Sequence, residues 1–176
     1  LHVFILSCCV AGAAGAAASL GFAPVGWGPL LMLCVMALSV LSVTAASVRQ
    51  AALTGLFFGL GLYLIGIRWM TVIYVEAMVG LAVMEACVMA LLGALLQLAG
   101  RSRWWPLLAA GSWLLVEYLF SHVPFEGFPW LRLGYTVVDL PLAGLLPLVG
   151  VPGAGFAFAL VAQLLAWTLI HAATLR

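Results

Sequence analysis

The first charged side chain in this sequence is Arg49, and before it come two long apolar runs parted only by the stretch from Gly21 to Pro29. In hydrocarbon no water is at hand to bond peptide N–H and C=O groups. Runs of this kind are therefore confined to transmembrane helices or a closed barrel, and their length and lack of alternation select helices. Composition agrees, with 67% hydrophobic residues, 6% charged and a mean hydropathy of +1.30, where a soluble domain carries about 25% charged residues. The chain reads as an all-α integral membrane protein. Each crossing needs about 20 apolar residues, so about six spans are expected, at 3–20, 30–47, 51–67, 78–99, 105–121 and 150–173. The remaining stretch, 122–149, is expected to be a non-helical loop outside the cytoplasm.

That loop gathers what the rest of the chain lacks. Pro124, Pro129, Pro141 and Pro147 each remove a backbone donor and fix φ, so no single helix runs through it. Glu126, Arg132 and Asp139 are costly in hydrocarbon, while Phe125, Phe128, Trp130 and Tyr135 suit the headgroup layer. The loop is expected to lie at the membrane surface against lipid. Trp130 separates two roles: as a plug of the bundle its ring is buried, and as a border of a lipid route its ring is partly exposed.

Small residues at Ala11, Gly12, Gly15 and Ala16 predict close helix approach and place the first span inside the bundle. Gly55 and Gly59 form a GxxxG pair, read as helix packing rather than as a ligand site. Arg49, Arg101, Arg103 and Arg176 fall on one side and Arg68 and Arg132 on the other. The positive-inside rule then predicts a cytoplasmic amino terminus, an outward-facing loop and, with an even number of spans, a cytoplasmic carboxyl terminus.

Two acids lie within the expected spans. Glu85 is read as structural; Glu117, about two turns from the loop, is open to either a structural or a functional role. Cys8, Cys9, Cys34 and Cys87 sit in apolar runs and are read as buried thiols. Ile5-Leu6-Ser7-Cys8 has the look of a lipoprotein cleavage box, but no basic residue precedes it, and it is read as helix. His2, His122 and His171 have no ligand spacing, so neither a metal nor a cofactor is expected. A net charge of +1 carries no nucleic-acid footprint, and all six basic residues are arginine.

Three stretches resemble the membrane domain of apolipoprotein N-acyltransferases. The first is Gly21-Phe22-Ala23-Pro24 with Trp27-Gly28-Pro29-Leu30, similar to a hairpin of that family. The second runs from Gly55, Gly59 and Gly61 to Gly66-Ile67-Arg68-Trp69. The third is Glu117, then Gly127-Phe128-Pro129-Trp130-Leu131, Gly134-Tyr135, Asp139, Pro141-Leu142, Pro147 and Gly150. The resemblance implies a bacterial inner-membrane protein of lipoprotein maturation. Its partners would be a phospholipid acyl donor and a diacylglyceryl apolipoprotein, and its lipid- or substrate-contacting residues Trp69, Glu117, Phe128, Pro129, Trp130, Arg132, Tyr135 and Asp139. The family often places an arginine three positions after the glutamate, where this chain has Phe120. Arg68 stands where a small polar residue is common and is expected to pair with Glu76.

In that family a nitrilase-like domain supplies a cysteine nucleophile, a glutamate base and an oxyanion-stabilising lysine. This sequence has no lysine, and its cysteines lie where a thiolate is disfavoured, so no catalytic residue is expected here. The absent domain and an initial leucine suggest a fragment whose part is lipid access and docking, with the catalytic domain supplied elsewhere. A second reading is a non-catalytic membrane anchor that recruits a separate enzyme such as a polyprenol-phosphate mannosyltransferase. A third, a small transporter, finds no inverted repeat to support it.

Overall fold

A computed structural model of the chain describes residues 2–123 and 127–174. Pro124, Phe125 and Glu126 of the expected loop, and Arg176 of the charge count, lie outside the described residues. Six α-helices follow in order: α1 His2–Ala18, α2 Gly28–Val43, α3 Val48–Gly66, α4 Val75–Ala99, α5 Trp105–Phe120 and α6 Leu146–Thr174. The described residues contain no strand. Four stretches, 2–21, 48–66, 75–99 and 141–172, are long and apolar enough to cross a membrane. The other two helices, α2 and α5, are apolar but have 16 residues each.

Local chemistry explains several boundaries. The Ser47 side chain accepts from the Gln50 N–H at 3.2 Å and caps α3. Prolines stand in the first turns of α2 and α5, where a missing N–H costs no helical bond. The same tolerance alters the picture of the loop. Pro141 opens a 3-10 turn at Pro141–Leu145 and Pro147 lies in the first turn of α6, so these two prolines start helical turns instead of ending them. A further 3-10 turn covers Leu133–Val137. α6 is broken at Gly150, whose φ of 65° and ψ of −175° lie in a region essentially reserved for glycine.

The centre of the bundle is α3, which has glycines on two faces. A Cβ at Gly55 would overlap the Met89 carbonyl of α4, one at Gly59 would stand 2.8 Å from the Ala86 Cα, and one at Gly61 would overlap the Gly12 carbonyl of α1. Helix backbones thus touch on both sides of α3. α1, expected inside the bundle, lies at its edge instead, since Val3, Leu6 and Val10 are exposed and only the Ala11/Gly15 face is buried. The small residues serve one contact, with α3. Two of the four cysteines are likewise displaced from expectation: Cys8 and Cys34 are buried, while Cys9 and Cys87 face outward from the bundle. In a helix that is apolar all round, no polar side marks which residues turn outward.

The connections α1–α2, α3–α4 and α5–α6 share one end of the bundle, where the segments 21–26 and 130–139 meet Trp69. The two short connections, 44–47 and 100–104, lie at the other end with Arg49, Arg101 and Arg103. A test of the central packing is Gly55→Leu, which forces α3 from α4 and should lower stability by about 1–3 kcal/mol, as overpacking does. Gly80→Leu, at a position where a Cβ meets nothing within 4 Å, should leave thermal unfolding in detergent nearly unchanged.

Candidate functional site at the loop end

The loop between α5 and α6 is held by one carboxylate. Glu117 lies in the last turn of α5, closer to the loop than the sequence suggests, because the helix stops at Phe120. It is 3% exposed, and its Oε1 accepts the Leu133 N–H at 2.7 Å. Its Oε2 stands 3.7 Å from the Arg132 Nε, an ion pair too long to count as a hydrogen bond. Oε2 also lies 3.3 Å from the site of a Cβ on Gly155, while the same Cβ would sit 3.0 Å from the Gly134 nitrogen. A Cβ on Gly134 would in turn overlap the Val151 carbonyl. The carboxylate therefore joins α5, the 3-10 turn at Leu133–Val137 and α6 at a junction that glycines keep narrow.

The sequence withholds this partner. At Phe120, where the resemblance would imply an arginine, the ring packs edge-on against Tyr63, with ring centroids 5.6 Å apart. The cation comes instead from Arg132, on the far side of the prolines. An acid and an arginine both placed in apolar surroundings were the available signal, since each needs a counter-charge. Arg68 and Glu76, expected to pair, are both exposed and form no ion pair; among the described residues Arg132–Glu117 is the one such pair. Glu85 of α4 is buried, at 1% exposure, yet no hydrogen bond reaches either oxygen within the described residues, so it has no part in this junction.

From this junction the loop's neighbouring residues turn two ways. Trp130, Leu131, Tyr135 and Asp139 line a cleft of about 650 Å³, closed on its other sides by the turn 21–26, Gly66 and Trp69. Trp69 and Trp130 meet at 5.0 Å between ring centroids, and Phe128 backs Trp130 at 5.8 Å. Leu131 reaches Gly66, where a Cβ would lie 2.6 Å from its Cδ1, so the end of α3 also supports the loop. The Trp130 ring is 54% exposed, the value of a cleft border and not of a plug. Pro129 is half-buried beside it. Of the eight residues singled out in the sequence, the fold thus brings Trp69, Trp130, Tyr135 and Asp139 to one cleft, with Phe128 and Pro129 against it. Glu117 and Arg132 lie behind.

What the sequence does not flag is the contribution of the α1–α2 turn. Phe22, Ala23, Pro24 and Val25 form the cleft's opposite side, with Ala23–Pro24 a cis peptide and Gly26 at φ 67°.

Residues 14–164 match the family model described as the apolipoprotein N-acyltransferase N-terminal domain. The apolipoprotein N-acyltransferase of Nitrosomonas europaea is 35% identical over 168 residues, covering 88% of this chain and 34% of that protein. The protein of the same name from Photobacterium profundum is 34% identical over 172 residues, covering 90% and 33%. That from Pseudomonas putida is 38% identical over 170 residues, covering 87% and 33%. The chain spans about a third of the length of the curated relatives it matches.

The junction makes a prediction about the carboxylate. Glu117→Ala leaves Arg132 and the Leu133 N–H without their partner and should cost about 3–5 kcal/mol, as for one member of a buried pair. Glu117→Gln keeps an acceptor for Leu133 and should cost distinctly less. Thermal unfolding of both variants in one detergent checks this, and equal losses would assign no weight to the Leu133 hydrogen bond.

Proposed function

The chain belongs to the apolipoprotein N-acyltransferase family as an N-terminal membrane domain, and from that premise we propose that it gives lipid substrates access to the reaction and does not perform the acyl transfer itself. The observation that carries this reading is the cleft at the loop end, bordered by the half-exposed Trp69 and Trp130 and by Asp139. Its aromatic border has the character of side chains that meet lipid at headgroup depth. The ligands would be a phospholipid acyl donor and the diacylglyceryl end of an apolipoprotein. Trp69, Trp130, Tyr135 and Asp139 contact them; Phe128 and Pro129 back that surface, and Glu117 and Arg132 set the loop's position. Every relative named above is an acyltransferase, which favours this reading over a membrane anchor for a mannosyltransferase.

The chain is a bacterial membrane protein, and we extend this to six crossings, with the flanks of α2 and α5 completing the two shorter ones. Support comes from exposed tryptophans near both ends of the bundle, Trp27, Trp69 and Trp130 at one and Trp104 at the other. Arg49, Arg101 and Arg103 place their end in the cytoplasm, so the cleft faces outward and the amino terminus inward. A membrane-impermeant thiol reagent should then label a cysteine introduced at the exposed Val123 and not one beside Arg103. The reverse pattern would invert the orientation.

The division of labour is tested in two ways. This chain alone should show no acyl transfer to a lipoprotein peptide, since its residues include no lysine and its thiols lie in apolar helices. Turnover that is lost on mutating Cys87 would overturn that. In a full-length enzyme carrying this membrane domain, Trp130→Ala should cost on the order of 1 kcal/mol, as for a typical point mutant. It should nonetheless slow formation of the acyl-thioester, because the substrate's entrance is altered. Normal thioester formation at matched protein levels would remove the cleft from the reaction.

A further inference from the structure

The outward-facing surface of the bundle does not have one height. On α4 the exposed side chains run through Val79, Val83, Cys87, Leu91 and Leu98, about 29 Å of helix at 1.5 Å per residue, and Glu76 and Arg101 stand beyond them. On α5 the exposed leucines Leu107, Leu108 and Leu115 are bracketed more closely, by the exposed Trp104 at one end and Tyr118 at the other. Those two lie about 21 Å apart along the helix. Polar groups follow just outside the bracket: Arg103, whose guanidinium is 5.3 Å from the Trp104 ring, and His122, whose ring stacks on Tyr118 at 4.1 Å. α5 thus carries its own pair of headgroup-level markers, set closer together than the hydrocarbon thickness of about 30 Å in a typical bilayer.

α6 repeats one of these markers at the same depth. Oε2 of Glu117 is 3.3 Å from the Cβ site of Gly155, which sets the register of α5 against α6. From that level Trp104 lies about 20 Å along α5 and Trp167 about 18 Å along α6, both toward the end that holds Arg103. Trp167 is exposed, and His171 tilts onto it at 4.3 Å between ring centroids. Two helices running in opposite directions therefore bring an exposed indole, with a basic side chain beside it, to one level. Between the helices is a shallow groove lined by Leu114, Leu115 and Tyr118 of α5 and Pro152 of α6, with Arg132 also on its wall.

We infer that the α5–α6 face meets a thinned bilayer, whose hydrocarbon is drawn in to about 21 Å between the level of Trp104 and Trp167 and the level of Tyr118. Tilting cannot match a span that is too short, because it shortens the span further, so the lipid has to come to the helix. The α4 face, at about 29 Å, makes no such demand. The partner at this surface is the bilayer itself, and two faces of one molecule impose different thicknesses on it. This thinning presupposes that α5 crosses the membrane, the reading given above, and the two fail in different experiments. An impermeant reagent that labels cysteines both at Val123 and beside Arg103 removes the crossing; lipid thickness tests the thinning.

The whole chain is reconstituted in phosphatidylcholine vesicles whose chains lengthen from myristoleoyl through palmitoleoyl, oleoyl and eicosenoyl to erucoyl, and thermal unfolding is followed in each. The midpoint should be highest in one of the two shortest and fall from oleoyl to erucoyl. Tyr118→Leu combined with His122→Leu removes the outer marker and lets the apolar run continue to Val123, so the maximum should move at least one step toward longer chains. Glu76→Leu lengthens only the α4 face and should leave the maximum in place. What is read is the position of the maximum, not its height, so a general loss of stability in a variant does not imitate the effect. A maximum at oleoyl or longer chains in the unaltered protein overturns the proposal, as does one that the double variant leaves in place or that Glu76→Leu shifts equally. Energy transfer between labelled copies that rises with chain length while the midpoint stays level also overturns it, since the short face is then covered by a second copy of this chain.

Discussion

The buried Glu117 carboxylate is the constraint on which the functional end of this molecule depends. A negative group inside apolar packing has to find a donor or a counter-charge, and here one short stretch supplies both, the Leu133 N–H and the Arg132 guanidinium. The loop is thereby pinned to α5 at a definite residue. With Leu133 held, the residues just before it have no choice of direction, and Trp130 and Leu131 close against Trp69 and Gly66. The close approach of Gly134 to Val151 and of Gly155 to Gly134 then lets α6 pack onto the same spot. A single electrostatic requirement arranges three elements.

Elsewhere the bundle rests on a different force. Between helices in lipid there is no water to expel, so association relies on close van der Waals contact and on small residues that permit it. The two-sided glycine pattern of α3 supplies this contact to α1 and α4. The consequence is a closely packed trio of helices beneath the cleft, onto which α5 packs along α4 and α6 along α2, with the loop fixed to both by the carboxylate junction. The cleft lies where the two parts meet, with Gly66 and Trp69 from the first and Trp130 to Asp139 from the second.

The sequence makes some of this legible and leaves some out of reach for physical reasons. Its charge-free runs declare helices, and GxxxG spacing at Gly55 and Gly59 identifies the face that meets α4. The gathering of aromatics and prolines after Glu117 marks the site. By contrast, which way a given residue of an apolar helix points is not written in a pattern of polar and apolar positions, because lipid and protein interior make the same demand. That is why Cys9 and Cys87 turn out exposed and why α1 lies at the edge. The Glu117–Arg132 pair joins residues on either side of a proline-rich segment, and no local rule connects them. Nor does any local rule bring Phe22 to Val25 to the opposite side of the cleft. Pro141 and Pro147 show the opposite difficulty, since a proline that ends a helix and one that begins a helix look alike in sequence.

Between Leu131 and Arg132 the chain changes sides: the first lines the cleft and the second the groove on α5 and α6. Surface connections generally accept added or missing residues with little consequence. This one has no such freedom, because Trp130 and Leu131 close the cleft while Arg132 and Leu133 meet Glu117, and a residue added or lost between Trp130 and Leu133 would draw one of these pairs out of place. The segment is a partition whose two sides are set by register. Its length, more than the identity of any one side chain in it, is what keeps the two compartments chemically distinct.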